Sequence, residues 1–149
     1  PSLLPVDAME RARLRMACCI VDRYVMDPVI RLFPHLDPAQ RNDSVVQPEV
    51  TRWHAGAAYL AHFLGKGLPE APGQVSLADC MLAPSLHLGT RIAAMIGLPV
   101  DPMQGHPVLL AFYRAAKSDP LIGPVLKDLT DAQEHKDLKA GRPSLAHLH

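Results

Sequence analysis

The sequence predicts an all-α domain built from a bundle of five or six helices. Three observations carry that expectation. Apolar residues recur at i, i+3 and i+4 over long windows. No segment alternates apolar and polar residues for more than a few positions, and neither Asn-Gly nor Asp-Gly occurs to turn a hairpin. Helix-start chemistry, an Asp, Ser or Pro ahead of an apolar run, returns at intervals along the chain. Fifteen prolines in 149 residues stand against this at first sight, being about twice the usual share. Their positions remove the conflict. Pro48, Pro107 and Pro120 fall at or near first helical turns, where a missing N–H costs nothing. Most others fall in connectors, and only Pro28, Pro84 and Pro124 are expected inside helices.

The first helix opens on Asp7-Ala-Met-Glu10, with Asp7 at the N-cap and Glu10 three positions on. It is expected to run to about Phe33 with a kink at Pro28. At about 100° per residue it shows two apolar faces. One carries Leu14, Ala17, Val21, Val25 and Leu32; the other carries Ala12, Cys19, Met26 and Ile30. A helix apolar on two sides is central, or touches a partner as well as its own core. His35–Val46 reads as a polar connector. Pro48 is expected to start a second helix through Val50, Trp53, Ala57, Leu60 and Leu64, stopped by Gly65-Lys66-Gly67. Leu68–Gln74 reads as a loop.

Val75-Ser76-Leu77-Ala78-Asp79-Cys80 is the sharpest local signal. Ser76 is the N-cap, Asp79 completes a capping box, and Val75 and Cys80 are spaced as a hydrophobic staple. The helix that follows carries no charge after Asp79 until Arg91, which predicts the buried centre of the domain. A further helix starts at His106-Pro107 and carries Leu109, Phe112, Tyr113 and Ala116. Asp119-Pro120 opens the last, expected to end near His135. The domain is thus residues 7–135, preceded by a connecting segment at 1–6 and followed by a polar tail at 136–149 that is expected to be flexible.

Composition narrows the function. Formal net charge is zero, so there is no electrostatic case for nucleic acid or an anionic membrane. Charge-free runs fall far short of the ~20 apolar residues of a membrane span. Three cysteines without a C-x-x-C are neither a disulfide framework nor a zinc pattern, and point to reduced thiols and a cytoplasmic location. Pro1–Pro5 has no basic stretch of the kind that opens a signal peptide. No metal-ligand spacing, P-loop, G-x-G-x-x-G or G-x-S-x-G is present. Ser85 and His87 are neighbours on a helix expected to be buried, which favours structural roles. Cys18 and Cys19 have Arg15 and Arg23 one turn away, the setting that lowers a thiol pKa, although packed thiols are the simpler reading.

The residues in this order resemble a known family. Leu3-Leu4-Pro5-Val6-Asp7…Glu10-Arg11-Ala12-Arg13 is similar to the stretch that opens the C-terminal domain of cytosolic glutathione S-transferases. Ser76-Leu77-Ala78-Asp79 resembles that family's capping box on its central helix. His106-Pro107…Phe112-Tyr113…Asp119-Pro120 resembles its last two core helices. The resemblance implies that a thioredoxin-like N-terminal domain, absent from this sequence, holds most of the glutathione site and the catalytic Ser, Tyr or Cys. No catalytic residue is therefore expected in this chain, and glutathione would be the co-substrate of the parent protein. It implies that the first helix lines the site for an apolar electrophile, with Met16, Cys19, Ile20, Arg23, Tyr24 and Asp27 as candidates. It also implies a homodimer, in which Asp22 could reach a neighbouring subunit's glutathione. Two other functions remain open: a stand-alone helical interaction module, and a non-catalytic carrier of apolar ligands.

Overall fold

A computed structural model describes residues 3–67, 75–142 and 144–145, and every regular element among them is helical. The expected loop at Leu68–Gln74 lies outside the described residues. Six α-helices follow in order: α1 (Ala8–Ile20), α2 (Asp27–Leu32), α3 (Asp43–Leu64), α4 (Leu77–Met95), α5 (Pro107–Ser118) and α6 (Ile122–Lys139). A π-helical turn, Val21–Met26, joins α1 to α2, so the first two form one bent rod.

That turn replaces the simple kink expected at Pro28. Pro28 has no N–H, and its ring crowds the carbonyl four residues back, that of Tyr24. The backbone upstream widens, and Asp27 N–H reaches back to the Asp22 carbonyl, five residues away. The Tyr24 carbonyl then rests against Gly56 of α3, so closely that a Cβ at position 56 would lie 1.9 Å from its oxygen. Only glycine permits that approach.

One predicted face of this rod is core: Leu14, Ala17, Val21, Val25 and Leu32 are buried, and Val29 joins them. The other is not: Ala12, Cys19 and Ile30 are exposed and Met26 is half-buried. Asp7 caps α1 by accepting from Glu10 N–H at 2.9 Å.

The second long helix starts earlier than expected. Asn42 Oδ1 accepts from Ser44 N–H at 3.1 Å and fixes the start at Asp43, which leaves Pro48 inside α3. A good N-cap outweighs the proline here. The bond Pro48 cannot make would go to the Ser44 carbonyl, and Ser44 and Pro48 are both exposed. Past the end of α3, Arg13 donates to the Lys66 and Gly67 carbonyls at 2.9 and 2.8 Å. Those carbonyls would otherwise be orphaned.

Helix α4 is the centre, packed on α1, the π turn, α2, α5 and α6. Ala78, Leu82, Ala83, Leu86, Ile92 and Ala93 bury its length, and Trp53 of α3 lies across it at Gly89. Its capping box is complete. Ser76 N–H donates to Asp79 Oδ2 at 2.8 Å, and Asp79 N–H donates to Ser76 Oγ at 3.3 Å. The staple position is less regular, since Cys80 is exposed and Leu77 and Ala78 turn inward. The connecting segment docks there too: Leu77 N–H donates to the Leu3 carbonyl at 2.9 Å.

Asp119 Oδ1 caps α6 by accepting from Leu121 and Ile122 N–H groups. This puts Pro124 in the first turn, where its missing N–H is one of the orphans, and not deep in the helix as expected. The helix also outlasts the expected end at His135, reaching Lys139. Asp137 and Leu145 are buried, so the described part of the tail is anchored rather than flexible. Leu145 N–H donates to Glu134 Oε2 at 3.2 Å, and Arg142 pairs with Asp137 at 3.1 Å.

Candidate functional site

The residues proposed to line an electrophile site lie on the outward face of the bent rod. Met9, Ala12, Met16, Cys19 and Arg23 follow one another at helical spacing, and all are exposed. Met16 is 53% exposed and Tyr24 52%. Ile20 is half-buried against the core. Tyr24 stacks edge-on against Tyr59 of α3, ring centroids 5.6 Å apart. The stripe is an open surface, apolar for most of its length. Such a surface can receive a flat apolar molecule or another protein face.

Asp27 takes a different role from the one expected. Its Oδ2 accepts from Arg52 Nη2 at 2.8 Å, and Arg31 lies one turn on at 3.4 Å. The Arg52 hydrogen bond, with help from Arg31, holds its carboxyl below the usual range. Asp27 thus ties α2 to α3 and is not a free wall residue. Asp22 stays solvated, 3.9 Å from Arg23 Nε with both side chains largely exposed. Surface pairs of this kind contribute little.

The thiols divide. Cys18 Sγ lies 3.9 Å from the Leu77 carbonyl, and burial pushes its pKa up, with the Cys19 thiol adding to the effect. That runs against a thiolate activated by neighbouring arginines. Cys19 is exposed on the stripe.

Ser85 and His87 do not meet. Ser85 Oγ donates to the Met81 carbonyl at 2.6 Å. His87, buried, is 2.7 Å from Tyr113 Oη through Nδ1 and 3.0 Å from Thr130 Oγ1 through Nε2. Thr130 Oγ1 also donates to the Leu126 carbonyl at 3.0 Å. With its single proton committed there, Thr130 accepts from Nε2–H, and Nδ1 accepts from the Tyr113 hydroxyl. This network ties α4, α5 and α6 together. Burial raises the Tyr113 hydroxyl pKa to about 12, which keeps it a donor. A cleft of about 640 Å³ lies over His87 and Thr130, rimmed by Lys117, Asp119, Lys127 and Asp131.

One cluster was not anticipated as a site. Arg91, 1% exposed, donates through Nη2 to Asp137 at 2.6 Å and to Glu134 at 2.9 Å. Asp137 holds Arg142 as well. The signal was present in the sequence. A lone arginine on an otherwise apolar helix needs carboxylates, and Glu134 and Asp137 share one face of the last helix at i, i+3.

Among the described residues no group of three His, Cys, Asp or Glu side chains is placed to hold a metal ion. No helix among them is long and apolar enough to cross a membrane. No family model and no curated protein sequence matches the chain.

Proposed function

We propose that this chain is the helical domain of a glutathione S-transferase-like protein. In this reading the outward stripe of α1 lines the site for an apolar electrophile and contributes to a homodimer. A thioredoxin-like domain would supply the glutathione site and the catalytic side chain, and the parent would transfer glutathione as its co-substrate in the cytoplasm. The observation that carries the reading is the exposed apolar stripe Met9, Ala12, Met16 and Cys19 on a helix whose opposite face is core. The connecting segment bonded at Leu77 brings the incoming chain to the capping box of α4. Asp22, solvated on the same rod, is the residue free to reach a neighbouring subunit's glutathione.

The test is expression from the natural reading frame, followed by an assay of glutathione conjugation to an aryl halide. A thioredoxin-like segment ahead of residue 1 is expected, with activity in the joined protein and none in this chain alone. Met16→Glu should raise KM with little change in kcat. A natural product that begins at residue 1 refutes the reading, and so does robust conjugation by this chain alone.

The exposed Tyr24–Tyr59 pair beside the stripe favours a second reading, a helical interaction module that docks a protein partner. Light scattering on the isolated chain separates the two. A stable dimer or hetero-complex that Met16→Glu dissociates, without any transferase frame upstream, supports the module. A monomer without a captured partner rules it out.

A further inference from the structure

We propose that the packing of α1 on the first turn of α4 makes Cys18 and Cys80 a redox pair, which a hydroperoxide converts to a reversible disulfide. Cys18 and Cys19 lie on α1 and Cys80 on the first turn of α4, and all three are free thiols. The two helices pack directly on each other.

The geometry rests on the Leu77 carbonyl. Cys18 Sγ lies 3.9 Å from its oxygen. A helical carbonyl points along the axis toward the N–H four residues on, so this oxygen lies within the turn that Cys80 helps to form. Each Cα–Cβ bond leans toward the helix N-terminus, and a side chain covers the turn ahead of its own Cα. The Cys80 thiol is therefore carried back over the turn of Leu77, where Cys18 Sγ already rests. Electrostatics agree. Burial, then the Cys19 thiol and then the Cys80 thiol push the Cys18 pKa up, and thiols influence one another in this way only when they are near.

Exposure assigns the two roles. Cys80 is exposed, while Cys18 is half-buried against the core. The solvent-facing thiol meets the oxidant, and the sheltered one resolves the product. In the first step the Cys80 sulfur attacks the peroxide. An S–O bond forms, the O–O bond breaks, and the thiol proton leaves with the departing oxygen as water or an alcohol. In the second step the Cys18 sulfur attacks the Cys80 sulfenic acid. The S–S bond forms, the S–O bond breaks, and the hydroxyl leaves with the Cys18 proton as water. The two sulfurs together give two electrons to the peroxide, and a dithiol returns them.

Cys19 is the wrong partner for Cys18. Consecutive Cα atoms are about 3.8 Å apart, below the about 4.4–6.8 Å that a disulfide spans. Cys19 also lies about 100° further round α1, on the outward stripe. The bridge to Cys80 closes a loop of about 60 residues and fastens the bent rod to the central helix, so it should stabilise the fold. None of this rests on the transferase reading, and the test uses the chain without glutathione.

The reduced chain is treated at low concentration with an equimolar amount of hydrogen peroxide. Remaining thiols are alkylated and counted by intact mass. The wild type should go from three alkylatable thiols to Cys19 alone, and dithiothreitol should restore all three. C19S should still lose both of its thiols. C18S and C80S should form no internal disulfide. Cys80 is exposed, so C80S keeps the test open if C18S fails to fold. Oxidation should raise the wild-type Tm by about 5 °C. A wild type that keeps three alkylatable thiols overturns the proposal, and so does a disulfide found only between two chains. An internal disulfide that survives in C80S, or one that is lost in C19S, assigns the bond to other cysteines and overturns it too. An oxidised chain that melts no higher than the reduced one overturns the placement of the bridge.

Discussion

Replacing Gly56 by alanine puts the packing of the bent rod on α3 to a direct test. The new Cβ would sit 1.9 Å from the Tyr24 carbonyl oxygen and 2.5 Å from its carbon. Carbon–oxygen contacts of this kind normally settle at about 3.3–3.6 Å, so the two backbones must part by about 1.5 Å. Neither side yields easily. The Tyr24 carbonyl belongs to a turn already widened for Pro28, and Val21, Val25, Trp53, Ala57 and Leu60 are buried around the contact. Overpacking a tight core costs about 1–3 kcal/mol, and backbone displacement puts this case at the upper end. Higher helix propensity returns at most ~1 kcal/mol. The net loss is about 2 kcal/mol, or ~4–8 °C in Tm for a chain of this size. Thermal unfolding followed by far-UV circular dichroism measures it, with near-UV signal reporting on Trp53. Gly105→Ala is the control, since nothing lies within 4 Å of a Cβ there. An unchanged or raised Tm for Gly56→Ala refutes the close approach, because propensity alone predicts a rise.

Ser76→Ala or Asp79→Ala should each lower stability by about 0.5–2 kcal/mol through loss of the α4 cap; an unaltered melting curve contradicts the capping role. Asp137→Ala should be far more damaging, about 3–5 kcal/mol, because it strands the Arg91 guanidinium in the interior. The double change Arg91→Met with Asp137→Leu should recover part of that loss in denaturant titrations. Glu134 governs a pH dependence. A hydrogen bond from Ser144, with help from Arg91, lowers its carboxyl from the ordinary 4.5 to about 2. Its folded pKa is depressed, so its contribution is fully present above about 4.5 and is lost as pH falls toward about 2. Glu134→Gln should flatten the acid limb of the stability profile, and an identical limb in the variant removes Glu134 as its source.

Local chemistry was readable wherever the deciding partners lie within a few residues. The Ser76/Asp79 box, the Asp7 cap, the end of α3 and the buried run of α4 depend on neighbours at i, i+3 and i+4, and all are present. Boundaries failed where two local signals competed. Asn42 outweighed Pro48 as the start of α3, and Asp119 set α6 one turn short of placing Pro124 in its interior. The π turn was beyond local rules: Pro28 predicts a disturbance, but its form depends on Gly56, 28 positions away.

The candidate site was legible as a pattern and less so as individual residues. Met16, Cys19, Arg23 and Tyr24 are exposed on the expected rod, whereas Asp27 is tied up by Arg52, which comes from another helix. The last described helix shows the same limit. Lys136–Lys139 reads as polar tail, yet Asp137 is buried because Arg91 waits for it 46 residues upstream.

The sequence by itself determined that the chain is helical, where its caps fall and which helix is central. Those follow from backbone propensity, capping and the 3.6-residue period, all of them local. Tertiary structure alone decided which apolar face stays exposed, which carboxylates pair with which arginines, and that Arg91 Nη1 is buried without a hydrogen-bond partner. These depend on which surfaces meet in space. Burial then sets the cost of every polar atom that comes without a partner.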